Sequence, residues 1–391
     1  MSLSVSEDSF DTDLLILGGG CAGLSLATRL AKSCPSLKVI IIEPRIEYEE
    51  DRTWCGWRTA PHPYMNCVAR SWPHWRVIHG NRTIDRGSSS LPYEMIPASR
   101  FYEQSCETIR ASASVCLASG TAANSVTEDF DGVTTRLADG RVLRARWAVD
   151  TRPHFRPLSF PSLWQNFVGY EIQADQRWTD RLGTTPVLMD FQPAGASVVQ
   201  FMYVLPLGGH RFLTEWTRFS TIHGETQEIE ADLNAWLQKQ GCEVGMIGRR
   251  ESGSLPMSVM AGTTAGVSRV VTAGTLGGSM RASTGYAFHS IQRWAQSCAN
   301  SLAAGGPPIA PARNPALGFL DEVFLTALQD RSTASETIFT GLFARTPSDA
   351  LVRFLSGVPR TRDILQVIAA MPWIHFSKAA LKTLLLRSPA A

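Results

Sequence analysis

The 391-residue sequence contains no Cys-x-x-Cys pair; its eight cysteines stand singly at 21, 34, 55, 67, 106, 116, 242 and 298, with no histidine at zinc-ligand spacing. That argues against the common structural zinc modules and reads as reduced thiols of a cytosolic protein rather than a disulfide framework. No metal is expected. No uninterrupted apolar stretch reaches the ~18–20 residues of a spanning helix. The segment from Ser4 to Asp13 is polar and acidic, without the basic and apolar regions of a secretory signal. Charge of one sign is lacking too: 37 Lys+Arg face 35 Asp+Glu, which leaves no global basic field to hold nucleic acid. What is plentiful is apolar material. Hydrophobic residues make up 44% against 18% charged, enough for a sizeable core and too much for a disordered chain.

The run Asp13-Leu-Leu-Ile-Leu-Gly18 reads as a fully buried parallel strand ending in glycines. Gly18-Gly-Gly20-Cys-Ala-Gly23 follows, then helical spacing at Leu24, Ala27 and Leu30, then a second strand, Lys38–Ile42, closed by Glu43. This strand–turn–helix–strand unit fits the dinucleotide fingerprint G-x-G-x-x-G. Gly18 permits the tight turn, Gly20 lets a pyrophosphate approach the backbone, and Gly23 lets the helix close on the strand. The helix amides would receive the phosphates, and Glu43 stands where an acid binds the ribose hydroxyls of the adenosine half. A second glycine-rich stretch, Gly274–Tyr286 with Gly277, Gly278, Thr284 and Gly285, precedes a helix through about Ala303. Its backbone amides suit a flavin and its phosphates. The early position of the fingerprint and this glycine-rich return together favour FAD over NAD.

From Tyr48 to Tyr93 the chain is rich in Trp, Pro, His and Arg, which predicts loops lying over a site rather than regular core. A helix is expected from Ala98 to about Ala111, and short strands at Val133–Leu137 and Val142–Val149 with Asp139-Gly140 as their turn. Strands are expected at Pro186–Phe191, Val198–Leu205 and Arg211–Phe219, then a helix with Ile229, Leu233, Trp236 and Leu237 on one face, ending at Gly241. Beyond Pro315 the pattern predicts helices at Leu317–Leu328, Glu336–Phe343, Ser348–Leu355 and Asp363–Ala370. In Arg211–Phe219, period-two alternation puts Leu213, Glu215, Thr217 and Phe219 on one face and Phe212, Thr214, Trp216 and Arg218 on the other. Among apolar neighbours Glu215 would be desolvated and keep its proton near neutrality, which makes it a proton donor. On a partly solvated strand it would pair with an arginine instead. Alternation alone leaves both readings open.

Taken together these segments resemble the lycopene cyclase family, flavoproteins that close rings at the ends of linear carotenoids. Gly18–Gly23 looks like that family's FAD motif, Asp51-Arg-Thr-Trp54 like its Asp/Asn-x-Thr-Trp element, and Val149-Asp150-Thr-Arg152 like its Asp-x-Arg strand end. Leu213-Thr-Glu215-Trp-Thr217 is similar to its acidic block, and Gly253–Met257 and Ser283-Thr-Gly-Tyr286 follow in the expected order. Two departures stand out: Trp216 replaces a second adjacent acid, and Pro153 replaces the strand-end glycine.

The resemblance implies an α/β fold: a Rossmann-type FAD-binding domain of the glutathione-reductase-like superfamily, an antiparallel-sheet substrate domain and C-terminal helices. The expected division is 1–155 for the first part of the FAD domain, 156–262 for the substrate domain, 263–312 for the FAD return segment and 313–391 for the helices. It implies Glu215 as the catalytic acid or the group that steadies a carbocation. It also implies cofactor contacts at Gly18, Gly20, Gly23, Glu43, Asp150, Gly277, Gly278, Thr284, Gly285 and Tyr286. The cofactor would be FAD, active as reduced flavin that supplies negative charge, with NAD(P)H as its reductant and no net redox change. The substrate would be a lycopene-like polyene, cyclised by alkene protonation, ring closure and deprotonation. Such a substrate lives in a bilayer. From Arg360 onward five basic residues (Arg360, Arg362, Lys378, Lys382, Arg387) meet one acid, Asp363, with Trp373 and Phe376 interleaved. That suits peripheral attachment of a cytoplasmic protein to an anionic membrane surface, although a helix capping the core would read the same way. Three rivals share much of this pattern: a cyclase of another polyene such as a prenylated aromatic, a flavin monooxygenase or dehydrogenase, and a non-catalytic lipid-escort protein with no need of Glu215.

Overall fold

Strand β1 (Thr12–Leu17) is buried along its length because parallel strands flank it on both sides, β2 (Val39–Glu43) and β11 (Val142–Asp150). The computed structural model describes residues 10–153, 158, 160–193, 195, 197–242, 247–259, 268–330 and 334–387. Around β1 runs a seven-stranded sheet in the order β8 (Val115–Ser119), β2, β1, β11, β10 (Val133–Leu137), β9 (Ala123–Glu128), with β17 (Val270–Thr272) also paired to β11. Leu14 and Ile16 face helices α1 (Cys21–Ser33), α2 (Ala98–Arg110) and α5 (Phe288–Ala303), while Leu15 and Leu17 pack on the other side with Val133 and Leu137. A strand apolar on both faces is what this doubly covered position requires. The glycine-rich return therefore comes back to the first sheet: β17 lies parallel to the end of β11, and α5 packs on α1.

The second sheet also has seven strands, ordered β16 (Ile247–Met257), β12 (Leu163–Gln173), β15 (Arg211–Ser220), β14 (Val199–Gly208), β13 (Val187–Gln192), β5 (His74–His79), β6 (Arg82–Gly87). All neighbours are antiparallel except β13 and β5. One face packs on α4 (Thr226–Lys239) and α3 (Gln176–Leu182) through Phe212, Trp216 and Trp178. The opposite face looks toward helices α6 (Pro315–Gln329), α7 (Ser335–Arg345), α8 (Ser348–Leu355) and α9 (Thr361–Ala370). A last helix, α10 (Trp373–Arg387), lies on α6, tied by the Thr326 and Thr383 hydroxyls at 3.1 Å and by the His375 ring to the Ala327 carbonyl at 2.8 Å. A three-stranded sheet, β3 (Thr53–Trp57), β7 (Tyr93–Pro97) and β4 (Arg70–Trp72), bridges the two cores, with Trp54 packing on one and Trp57 buried in the other.

Two expectations need correction. The segment from Tyr48 to Tyr93 is not a set of loops: it holds β3 to β6, and Trp57, Tyr64, Trp75 and Tyr93 are among the largest fully buried side chains. Its aromatics are core because β5 and β6 extend the second sheet. The individual helices expected stop at Ala370, short of α10, because the leucines after Leu381 fit no one-sided apolar stripe, although the helical region was expected to run to 391. The expected divisions at 155/156 and 262/263 fall outside the described residues, as does the segment before Phe10.

Candidate active site

A cavity of about 510 Å³ lies between the open face of the second sheet, strand β3, the loop from Met280 to Phe288 and the C-terminal helices. Leu213, Glu215, Thr217 and Phe219 all line it, so the alternation on β15 is as the sequence predicts. Phe212 and Trp216 are in the core on the far side. There Arg218 is taken up by Glu225, Glu228 and Asp232 at 2.6–3.2 Å. No arginine pairs with Glu215 among the described residues. Its only hydrogen bond there comes from the Thr217 hydroxyl, Oγ1 to Oε1 at 2.7 Å. Burial first, and the neighbouring Glu251 carboxylate second, push Glu215 up to about 8 against the opposing effect of Thr217. A carboxyl taken from water without a cation stays protonated, because the charged form suffers most from desolvation.

Glu251, which the sequence reading missed, lies in the same cavity. Its Oε2 accepts from Arg249 at 2.7 Å and from the Thr53 hydroxyl at 2.9 Å. Arg249 and Glu251 stand two apart on β16, a spacing that places them on one face, but a charged pair on an edge strand gave no reason to look inward. Aromatic side chains complete the wall: the Tyr93 and Tyr203 hydroxyls meet at 2.9 Å, and the Trp57 ring stands edge-on to Tyr286 at 5.5 Å. Burial pushes the Tyr93, Tyr203 and Tyr286 phenols upward, so all three stay neutral.

The glycine turn sits at the carboxyl ends of β1, β2 and β11. Gly18 has φ +101°, a conformation open to glycine, and Thr151 Oγ1 donates to the carbonyls of Leu17 and Gly18 at 3.0 and 2.9 Å. A Cβ at Gly20 would meet nothing within 4 Å, and no side chain caps the first amides of α1. Open space over uncapped helix amides fits a pyrophosphate. Glu43 is buried at the end of β2, where it accepts from the Gly19 amide at 2.7 Å and from Arg45 Nε at 2.8 Å. Burial opposes its charge, but the bonds from Arg45 and Gly19 prevail and hold the carboxyl below its usual range. Asp150, at the end of β11, accepts from the Arg152 amide and guanidinium. Thr284, Gly285 and Tyr286 line the cavity with Glu215. Gly277 and Gly278 do not line it: a Cβ on Gly277 would come within 2.9 Å of the Thr272 backbone at the end of β17, and Gly278 has φ +97°. The expected residues thus fall into two groups: Gly18, Gly20, Gly23, Glu43, Asp150 and Gly277 at the sheet ends, and Thr284, Gly285 and Tyr286 around Glu215.

A family model described as "Lycopene cyclase protein" matches residues 13–381. A lycopene beta-cyclase of Pseudescherichia vulneris is 27% identical over 314 residues, 76% of each chain. One from a Paracoccus species is 27% identical over 399 residues, covering 94% of this chain and 96% of that one. Among solved structures, the flavin-dependent monooxygenase PieE, in complex with FAD and substrate, superposes with a TM-score of 0.61 at 14% identity, over 96% of this chain and 72% of that one. At that identity the likeness is one of fold, the Rossmann-type FAD-binding fold with an added sheet and helices.

Proposed function

This chain is an enzyme of the lycopene cyclase family, and from that premise we propose that it converts the linear ends of a lycopene-like polyene into ionone rings without net redox change. The observation that carries the reading is the place of Glu215: a half-buried carboxyl on the cavity wall that, among the described residues, has one hydroxyl as its hydrogen-bond partner and no cation, and is pushed up to about 8. Leu213, Phe201, Phe219 and Phe339 offer the hydrocarbon an apolar wall and exclude water. Glu215 gives its proton to the terminal double bond, and the proton bonds to one alkene carbon while the other becomes a tertiary cation. The π electrons of an inner double bond then close the six-membered ring. A ring carbon then gives up a proton to the carboxylate left on Glu215, its C–H electron pair becomes the new double bond, and both the cation and the acid are restored to neutrality. Trp57, Tyr93 and Tyr203 line the same cavity, and aromatic rings there stabilise a cation through their quadrupoles. General-acid catalysis of this kind contributes ~10²–10⁴-fold.

The residues fit FAD. Gly18, Gly20, Gly23, Glu43 and Asp150 would hold its nucleotide half, and the segments around Gly277, Gly278, Thr284, Gly285 and Tyr286 its ring end. Bound FAD, reduced with NAD(P)H as electron source, would supply negative charge to offset that of the cation. The relative solved with FAD supports this cofactor.

We propose further that the enzyme works on the cytoplasmic side of a membrane, attached peripherally through α9 and α10. No single helix among the described residues is long and apolar enough to cross; α9 and α10 are bent by 115° to each other. On α10, His375, Ala379 and Thr383 are buried against the protein, whereas Trp373, Ile374, Leu381 and Leu385 are all more than 60% exposed. Exposed Lys378 and Lys382 flank that apolar arc. A helix apolar on two sides with lysines between them suits the headgroup boundary. Ile368 of α9 is half exposed and also lines the cavity, which supports entry of substrate from that side.

The test is expression in a lycopene-accumulating host. A cyclised product of unchanged mass is expected, whereas gain of an oxygen or a change of two hydrogens would identify an oxidoreductase instead.

A further inference from the structure

Glu215 on β15 and Glu251 on β16 are both in register with one residue of the strand between them: Gly169 of β12. Residues directly opposite one another across neighbouring strands project to the same face of a sheet. The two carboxyl side chains therefore rise on the cavity side, one on each flank of a residue that has no side chain of its own. A Cβ on Gly169 would lie 3.3 Å from the Glu215 Cβ and 3.4 Å from the Glu251 Cγ, so glycine keeps the floor between the acids open. Their surroundings differ. Glu215 has one hydroxyl partner and no cation. Glu251 is buried and salt-bridged to Arg249, and both of its hydrogen bonds, from Arg249 and Thr53, go to the same oxygen, Oε2.

We infer that Glu251 is the second carboxyl of the reaction, a fixed anion that faces the cationic end of the substrate across Gly169 while Glu215 serves as the acid. This rests on the reading of Glu215 given above and adds a residue to it. A neutral acid beside a charged carboxylate is the arrangement cation chemistry calls for, since the proton leaves one group and the positive charge it creates lies before the other. Arg249 and Thr53 fix the anion in advance, so no reorganisation is needed when the cation forms. The family resemblance offers an acid next to Glu215 in sequence, but the side chain at 216 points to α4; the second carboxyl on this face comes from across the sheet.

Glu251 also acts on Glu215 itself. The charged and titratable groups around Glu215 are Glu251 and Arg249 from β16, Tyr203 from β14, Cys55 from β3 and Tyr286 from the return loop. Burial pushes the Cys55 thiol and both phenols upward, so none of these three ionises across the neutral range. Removing the negative charge at 251 makes the Glu215 proton easier to lose.

The experiment uses the flavin-loaded enzyme and lycopene in vesicles, with the cyclisation rate measured across pH. Glu251→Gln keeps the shape of the side chain and an oxygen to accept from Arg249 and Thr53. It is expected to lower the rate by ~10²-fold and to move the alkaline limb of the profile to lower pH, with Glu251→Asp restoring the limb part of the way. A merely structural role would not move that limb. Should the single variant fail to fold because Arg249 is left uncompensated, the double variant R249Q/E251Q removes both charges and is expected to show the same two changes. Wild-type rate and an unmoved limb in a folded Glu251 variant would overturn the inference. Loss of activity in Glu215→Gln beside a silent Glu251→Gln would overturn this inference alone; if both are silent, the reading of Glu215 falls as well.

Discussion

Gly20 and Gly23 belong to one turn and meet opposite surroundings: a Cβ at 20 would find nothing within 4 Å, whereas one at 23 would meet the Gly18 carbonyl oxygen at 2.0 Å. The first glycine leaves space and the second fills it. Gly20 also has φ −80°, which any residue adopts. Gly20→Val should therefore fold normally and elute without flavin, while Gly23→Ala should lower the thermal midpoint by an amount equivalent to ~1–3 kcal/mol as the helix is forced off the strand. Circular dichroism melts and flavin absorbance after gel filtration separate the two effects. Full flavin stoichiometry in Gly20→Val would remove the pyrophosphate from this turn.

Glu215→Gln should cost ~10²–10⁴-fold in cyclisation, because the amide occupies the same space without an acidic proton. Flavin content and the melting profile should survive. Glu215→Asp should be nearly as poor, since one methylene less misplaces the carboxyl relative to the alkene. Trp216→Phe should instead change stability more than turnover, because Trp216 packs on the far side of the strand, its indole N–H donating to Gln200 Oε1 at 3.3 Å. Product formed per bound flavin is the quantity to compare.

The same carboxyl predicts a pH dependence of stability. Glu215 titrates at about 8 when folded against 4.5 otherwise, so between those values the folded chain holds a proton that the unfolded chain has released. Its stabilising contribution is complete below the lower value and is lost as pH rises through the upper one. The thermal midpoint should fall between about pH 5 and about pH 9. Glu215→Gln should show a shallower decline, and identical slopes in the two proteins would mean that Glu215 is ionised throughout.

Much of the frame was legible because local patterns and tertiary environment agree. The apolar run at 13–17 is a strand covered on both faces, and the alternation at 211–219 sorts its residues between cavity and helix as the sheet does. The segment from Tyr48 to Tyr93 misleads because its tryptophans and prolines resemble a surface lid. Yet Trp75, Val77 and Ile84 are buried on two strands joined through Gly80, whose φ of +57° marks a turn that the Gly-Asn pair could have announced. Glu251 was hidden for another reason. Nothing in Arg249-Arg-Glu251 says which strand lies beside it, and the site needs the register of three strands before the two acids face one space.

If α10 rests on lipid, replacing its outward apolar residues should release the protein without harming the fold. Trp373→Ser with Leu385→Ser is expected to reduce cosedimentation with anionic vesicles several-fold while leaving the melting profile unchanged. Lys378→Glu with Lys382→Glu should weaken binding to anionic vesicles and spare binding to neutral ones, and added salt should act in the same direction. Unchanged sedimentation in both variants would free α10 from this role.

Strand β15 has one last consequence, for how tolerance to change is distributed along it. Odd positions from 213 to 219 look into the cavity, and even positions from 212 to 218 are committed to α4, Gln200 and the three acids gathered by Arg218. Saturating this strand with substitutions should give two interleaved classes of phenotype. Changes at even positions would register as less protein in the cell, with whatever folds working at the normal specific rate. Changes at Glu215 and Thr217 would leave abundance intact and alter the pigment, whereas Leu213 and Phe219 also belong to the core beneath the cavity and would do both. The boundary between a defect of quantity and a defect of quality would then be crossed at every peptide bond from 214 to 218.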